Sequence, residues 1–217
     1  ERDKYLNAWS FLGKRVKVVK NIIKPDFYAV RRRESEDPEI LFISRFIRQK
    51  GMFDLLDAVP GVLRKFPAAR FVFIGSGSDA AQFDAQVREA NLSRLIKRID
   101  HLSNAETAKY YGSAWALVFP TYFPEGMPMV VAEAMAAGVP IITSRTNFSR
   151  SYMSPGDHCL FVDAGDSKSI EEQIVQLLSD HQLRHRMSVN NRELAQCFRS
   201  DVVAHEFLEI YENIHQA

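Results

Sequence analysis

The feature that most limits the fold of this chain is a repeated pairing of short, wholly apolar runs with longer segments of helical periodicity. Ile40-Leu41-Phe42-Ile43 is apolar at every position, β-prone and too short for a helix, so it reads as a strand buried on both faces. Between Phe53 and Phe66, Leu55, Leu56, Val59, Val62 and Leu63 recur at helical spacing, and Pro60 is expected to kink or split that helix. Arg70-Phe71-Val72-Phe73-Ile74 is a second buried strand, Ala80 to Ala90 a helix, Ile96 to Ile99 a short strand and Glu106 to Tyr111 a helix. Ala116-Leu117-Val118-Phe119, Val139-Pro140-Ile141-Ile142 and Cys159-Leu160-Phe161-Val162 read as further strands, with an apolar helix from Pro128 to Ala137 after the first of them. Amphipathic helices follow, marked by Ile170, Ile174, Leu177 and Leu178, by Leu183, Met187 and Leu194, and by Val203, Phe207, Ile210, Tyr211 and Ile214. This alternation implies an α/β fold, a Rossmann-like parallel sheet with helices on both faces. Such sheets bind ligands at the carboxyl ends of their strands, so the chemistry is expected in the loops that follow them.

Composition removes several classes of function. The chain has 217 residues, 46% of them hydrophobic, which is enough to bury a core. Its 28 basic and 27 acidic side chains leave a net charge of +1, without the basic excess of a nucleic-acid binder. Cys159 and Cys197 are its two cysteines, which argues against a disulfide scaffold and for a reducing, cytoplasmic setting. No run approaches the roughly 18 to 20 apolar residues that span a bilayer. The segment Arg31 to Glu39 reads as a solvated linker or loop, and a short apolar run, Val16-Lys17-Val18-Val19, precedes it. The chain opens Glu1-Arg2-Asp3 without a methionine, so a piece of a longer protein is expected.

The loops after the strands carry the candidates. Ser44-Arg45-Phe46-Ile47-Arg48-Gln49-Lys50-Gly51 places several cations in a loop feeding a helix, suited either to a phosphate group or simply to solvent. Gly75, Gly77 and Ala80 form a G-x-G-x-x-A pattern, readable as a dinucleotide fingerprint or as a tight turn. No acid stands about 20 positions on to take a ribose, where the chain reads Arg94-Leu95-Ile96. In Pro124-Glu125-Gly126-Met127-Pro128-Met129-Val130-Val131-Ala132-Glu133, one carboxylate precedes an apolar helix and another lies inside it. A buried, ionised Glu133 costs several kcal/mol unless it is paired or hydrogen-bonded, so it is either a ligand-binding group, suited to a ribose diol, or half of an ion pair with Arg45 or a lysine. Glu125 is either a helix-capping acid or an acceptor for sugar hydroxyls. Gly126, Met127, Met129 and Val130 offer N–H groups at the helix start, while Pro128 has none.

The pair Glu125 and Glu133, with seven residues between them, closely resembles the E-x7-E signature of the retaining glycosyltransferases of family four, the glycosyl transferases group 1. Ser44-Arg45 with Lys50-Gly51, Phe73 to Gly77, Ser103 to Tyr111 with Ala116 to Pro120, and Asp163 to Met187 match other parts of that family's pattern. The resemblance covers about residues 39 to 197. It implies one half of a GT-B fold, the C-terminal, donor-binding domain, whose active site lies in a cleft against an N-terminal acceptor domain. Residues 1–38 would then be the end of that N-terminal domain plus a linker, 39–200 the nucleotide-sugar-binding domain, and 201–217 a helix packing back toward the N-terminal domain. Carried over by position, Arg45 and Lys50 bind the donor diphosphate and stabilise the leaving group, and Glu125 meets the transferred sugar. Glu133 takes the ribose, and Gly75 and Leu102 lie in the nucleotide-sugar site, where the loop Ile99 to Leu102 adjoins the base. Gly126, Met127, Pro128, Met129 and Val130 line the same site. The donor would be a UDP- or GDP-sugar, the acceptor a glycan or lipid-linked molecule, and the isolated half inactive. No cofactor and no metal are expected, because cations take the metal's place, Asp-x-Asp is absent and His101, His158 and His181 show no ligand spacing. The full-length enzyme would work in the cytoplasm, free or peripherally at the inner face of a membrane. Two departures stand out: Thr146-Asn147-Phe148-Ser149-Arg150 replaces the family's Gly-Gly pair and later Glu, and Asp100 occupies a place often held by glycine. An NAD-binding dehydrogenase domain and a degenerate, non-catalytic binding module are the alternatives.

Overall fold

The computed structural model describes residue 17 and residues 19–215. Val16 and Val18 of the apolar run therefore lie outside the described residues. The strands are β1 (Glu39–Ile43), β2 (Arg70–Ile74), β3 (Ile96–Ile99), β4 (Ala116–Phe119), β5 (Ile141–Ser144) and β6 (Cys159–Val162). They form one six-stranded sheet in the order β3-β2-β1-β4-β5-β6, with every adjacent pair parallel. Leu41 sits opposite Val72 on one side and Leu117 on the other. The helices are α1 (Pro25–Tyr28), α2 (Met52–Lys65), α3 (Ala80–Glu89), α4 (Asn104–Ser113), α5 (Met129–Ala137), α6 (Asn147–Tyr152), α7 (Ser167–Ser179), α8 (His181–Ala195) and α9 (Ser200–His215).

Although the interiors of β1, β2 and β4 are wholly apolar, their residues divide between two cores by alternation. Ile40, Phe42, Phe71, Phe73, Val118 and Ile142 face α2, α3, α7 and the start of α8. Leu41, Val72, Ile74, Leu117, Phe119 and Ile141 face α1, α4, α5 and α6. This two-sided burial is what a parallel sheet needs, and it explains why the strands read as continuous apolar runs.

Four readings from the sequence are corrected. Helix α2 is not split, because it runs unbroken through Pro60. Eight buried residues hold it against the sheet and α7, which outweighs the roughly 3 kcal/mol that an interior proline costs. The strand after α5 begins at Ile141, not at Val139, because Pro140 has no N–H for the ladder. The segment Arg31 to Glu39 is a loop, but an anchored one. The N–H groups of Arg33 and Ser35 donate to the carbonyls of Gly112 and Ser113, and the Arg32 guanidinium donates to the carbonyl of Ala114 at 2.9 Å. Finally, Thr146 to Arg150 is not merely loop. Thr146 caps α6, its hydroxyl accepting from the N–H of Ser149 at 3.1 Å, and Phe148 fills the core below. Upstream of β1, Ile23, Phe27 and Val30 are buried against the α4–α5 face, and α9 buries Val203 while leaving Leu208 and Tyr211 exposed.

On the α2–α3 face, Phe73 lies 5.4 Å from Phe42 and 4.7 Å from Phe83, centroid to centroid, and Phe83 is 5.2 Å from Phe46. Phe73→Ala should therefore lower stability by about 3–5 kcal/mol, read as a shifted urea midpoint with the far-ultraviolet circular dichroism retained.

Candidate active site at the carboxyl edge of the sheet

Strands β1 and β4 are neighbours, but the chain leaves β1 toward β2 and leaves β4 toward β5. Their following loops diverge, and the crevice between them is where ligands bind in open parallel sheets. The loop after β1 carries Arg45 and Lys50, and the loop after β4 carries Glu125 and leads into α5 with Glu133.

Gly75 and Gly77 shape the first side of the crevice. Gly75 has φ +143°, and a Cβ on it would lie 1.8 Å from the carbonyl oxygen of Ser44. A Cβ on Gly77 would lie 2.3 Å from that of Phe46. These glycines let the loop after β2 lie flat against the loop after β1, tied by Phe46 N–H to the Ser76 carbonyl at 2.9 Å. The Asp79 carboxylate accepts from the N–H of Arg48 at 2.7 Å. The fingerprint therefore sits one strand away from the switch point and its glycines serve loop packing, which argues against a dehydrogenase-type pyrophosphate site.

Arg45, Gly75, Leu102, Val130 and Glu133 line one cavity of about 350 Å3, together with Ser44, Asp100, His101, Asn104 and Thr107. Gly126, Met127, Pro128 and Met129 line neither this cavity nor its neighbour. The amides of Gly126, Met127, Met129 and Val130 have no protein acceptor among the described residues, so the start of α5 presents unpaired donors beside the crevice. Pro128 is the residue that caps the helix.

Lys50 closes a short 3-10 turn, and its buried ammonium makes an ion pair with Glu125. Both are largely sheltered, with side-chain exposures of 8% and 14%. Glu125 thus answers a cation 75 residues away, instead of capping α5. Phe123 joins the two cations: Lys50 lies 4.5 Å and Arg45 6.0 Å from its ring centroid. Arg45 is exposed and has no carboxylate within 4 Å among the described residues.

Glu133 forms no ion pair with Arg45 or any lysine among the described residues. Burial pushes its carboxyl up to about 7, opposed by a hydrogen bond from Tyr111 and by the charge of Lys24. The Tyr111 hydroxyl, fully buried, lies 3.3 Å from Glu133 Oε2 and 3.1 Å from the carbonyl of Val130, and burial raises its own pKa well above the usual value. Tyr111 and Phe123 are the site residues that sequence reasoning missed: one looks like an ordinary core aromatic, the other like a loop residue.

A Rossmann-like α/β domain with a cation-lined crevice at its switch point is the class this fold and site define. Residues 24–194 match the family described as glycosyl transferases group 1, and the chain belongs to that family. It is 31% identical over 176 residues to a phosphatidyl-myo-inositol mannosyltransferase of Mycobacterium leprae, covering 81% of this chain and 46% of that protein. The chain thus spans about half the length of the curated relatives it matches. Among solved structures, a variant of S. aureus TarM in complex with fondaparinux, α-GlcNAc-glycerol and UDP superposes with a TM-score of 0.82 at 15% identity, over 97% of this chain and 42% of that one. Anabaena HepE in complex with UDP superposes with a TM-score of 0.79 at 17% identity, over 91% and 57%. The fold is that of one half of a GT-B glycosyltransferase.

Removing one partner of the sheltered Lys50–Glu125 pair leaves a buried charge unanswered. Lys50→Met should cost about 3–5 kcal/mol in urea denaturation, and Lys50→Met with Glu125→Gln should recover most of that loss. Equal stability of Lys50→Met and the double variant would show that the stranded Glu125 charge is not what costs the single variant its stability.

Proposed function

We propose that the chain is the donor-binding half of a retaining glycosyltransferase that moves a sugar from a UDP- or GDP-sugar to a glycan or lipid-linked acceptor. The observation that carries this reading is the convergence of Arg45, Gly75, Leu102, Val130 and Glu133 on one cavity, next to the Lys50–Glu125 pair. The UDP named in the TarM and HepE structures supports the nucleotide, and the name of the M. leprae relative supports a lipid-linked acceptor.

In this reading the ribose hydroxyls donate to the Glu133 carboxylate, and the base lies against the loop ending at Leu102. The diphosphate meets Arg45, Lys50 and the open amides at the start of α5. The bond between the anomeric carbon and the diphosphate breaks with the electron pair leaving on phosphate oxygen. Arg45 and Lys50 stabilise that charge, each such group contributing about 3–4 kcal/mol. The acceptor hydroxyl forms the new bond on the face that the diphosphate leaves and gives its proton to the departing phosphate oxygen, so the anomeric configuration is kept. Glu125 turns from Lys50 to the sugar hydroxyls as the diphosphate takes over its cation. The cations do the work that a metal would otherwise do. The acceptor domain belongs to the rest of a longer protein, and the 217-residue chain alone binds donor but transfers little.

Calorimetry with UDP and with GDP tests the reading, and heat for at least one at millimolar concentration is the expected result. Absence of binding by both would overturn it. Glu133→Ala should abolish that binding while leaving the chain folded. Nucleotide affinity also depends on the charge of Glu133. Its carboxyl is largely neutral below about pH 7, and a diol donates best to the ionised form. Affinity should therefore rise several-fold between pH 6 and 8, beyond whatever rise Glu133→Gln retains from ionisation of the nucleotide itself. The stability sign is opposite. Because the folded pKa is raised above the ordinary carboxylate value of 4.5, the wild type loses stability relative to Glu133→Gln as pH rises from about 4.5 through 7, by roughly 1–2 kcal/mol after allowance for solvent.

A further inference from the structure

We propose that a second cavity at the same edge of the sheet is a subsite for a sugar that carries a carboxylate or a phosphate, gripped by Arg145 and Arg150. The inference rests on the donor-binding reading only in taking Glu125 as the sugar-facing carboxylate. The cavity has about 400 Å3 and opens between the carboxyl ends of β4, β5 and β6, with Glu125 in its wall. It does not include Arg45, Gly75 or Glu133, so it is separate from the cavity assigned to the nucleotide.

Its charge is unbalanced in one direction. Neither Arg145 nor Arg150 has a carboxylate within 4 Å or a side-chain hydrogen bond among the described residues. The Glu125 charge is already met by Lys50. One further carboxylate, Asp163, faces the two guanidiniums across the cavity. Two forked cations against one free acid favour an anion, and planar guanidinium suits carboxylate and phosphate oxygens bidentately. Asp163 and Asn147 remain to accept and donate at neutral hydroxyls, as a sugar ring needs.

The frame beneath is fixed. Arg145 lies 4.5 Å over the ring of Phe161 on β6, which holds its guanidinium against the sheet edge. Below it, the buried hydroxyls of Ser144, Thr146 and Ser149 are tied together: Ser149 Oγ donates to the Ser144 carbonyl at 2.9 Å, and Ser144 Oγ donates to the Thr121 carbonyl. That network joins β4, β5 and α6 and holds both arginines on one frame.

The test uses the whole 217-residue chain and amide NMR signals of Arg145, Asn147, Arg150 and Asp163. Glucuronate, glucose 6-phosphate and glucose are titrated separately. At least one anion should bind about tenfold or more tighter than glucose, with shifts confined to this cavity. The preference should vanish in Arg145→Gln/Arg150→Gln, checked for folding by its amide spectrum away from the site. Preference for glucuronate marks a uronic acid as the sugar handled, and preference for glucose 6-phosphate marks a phosphorylated one. Equal binding of all three sugars, no binding of either anion, or a preference that survives the double substitution overturns the proposal. Titrations with UDP and GDP in the same chain judge the donor reading separately, so failure of one leaves the other decided on its own result.

Discussion

A parallel sheet covered by helices on both faces has no place for polar chemistry except along its carboxyl edge, and the rest of this molecule follows from that restriction. Within β1 and β4 the interior positions are apolar and buried, and every second residue serves a different core. Polar groups can collect only where the strands stop. Because β1 and β4 are adjacent but send the chain in opposite directions, their loops part and leave a crevice. Arg45, Lys50, Glu125 and Glu133, which are distant in sequence, therefore meet at one edge without any of them crossing the core.

Gathering charge at a half-dry edge has a thermodynamic cost, and the structure meets it unevenly. Lys50 and Glu125 neutralise one another in shelter. Glu133 has no such partner, and one hydroxyl from Tyr111 is all that the described residues offer it, so burial holds its carboxyl at about 7. A group that ionises poorly until something donates to it is a defect in an apo domain and an asset in a binding one. Replacing it with glutamine favours folding at high pH and removes a carboxylate from the cavity lining. Stability and binding pull in opposite directions at this position.

The degree to which this was legible in the sequence differs by element for physical reasons. The strands were visible because two-sided burial leaves no polar residue to blur the pattern, and Ile40 to Ile43 is the plainest instance. Proline at position 60 misled because local chain preference is weak against eight buried neighbours in the same helix. Helix α6 escaped because six residues with a polar face carry no measurable periodicity, and only its Thr146 cap betrays it. Glu133 stands out in the sequence by its incongruity within an apolar helix and Glu125 by its place in the loop before it, but their partners do not. Glu125 binds a lysine 75 residues upstream, and Tyr111 reaches Glu133 from α4, relations set by strand order that local patterns do not contain.

The two cavities differ in how they are built, and that difference bears on how one scaffold could serve many sugars. The cavity proposed for the nucleotide draws on β1, β2, α4 and α5, elements whose other faces fill the cores, so Gly75 or Tyr111 cannot change without disturbing strand-loop packing. The arginine side hangs on α6 and the ends of β5 and β6. Arg145, Asn147 and Arg150 are exposed, while Phe148 and Ser149 alone on that helix are buried. Substituting the exposed positions alters what the cavity attracts but leaves the core contacts of the helix intact. As proposed, a rigid nucleotide grip beside a rim of exchangeable side chains separates the part of recognition that must persist from the part that can vary, and Glu125, paired to Lys50, stands at the boundary between them.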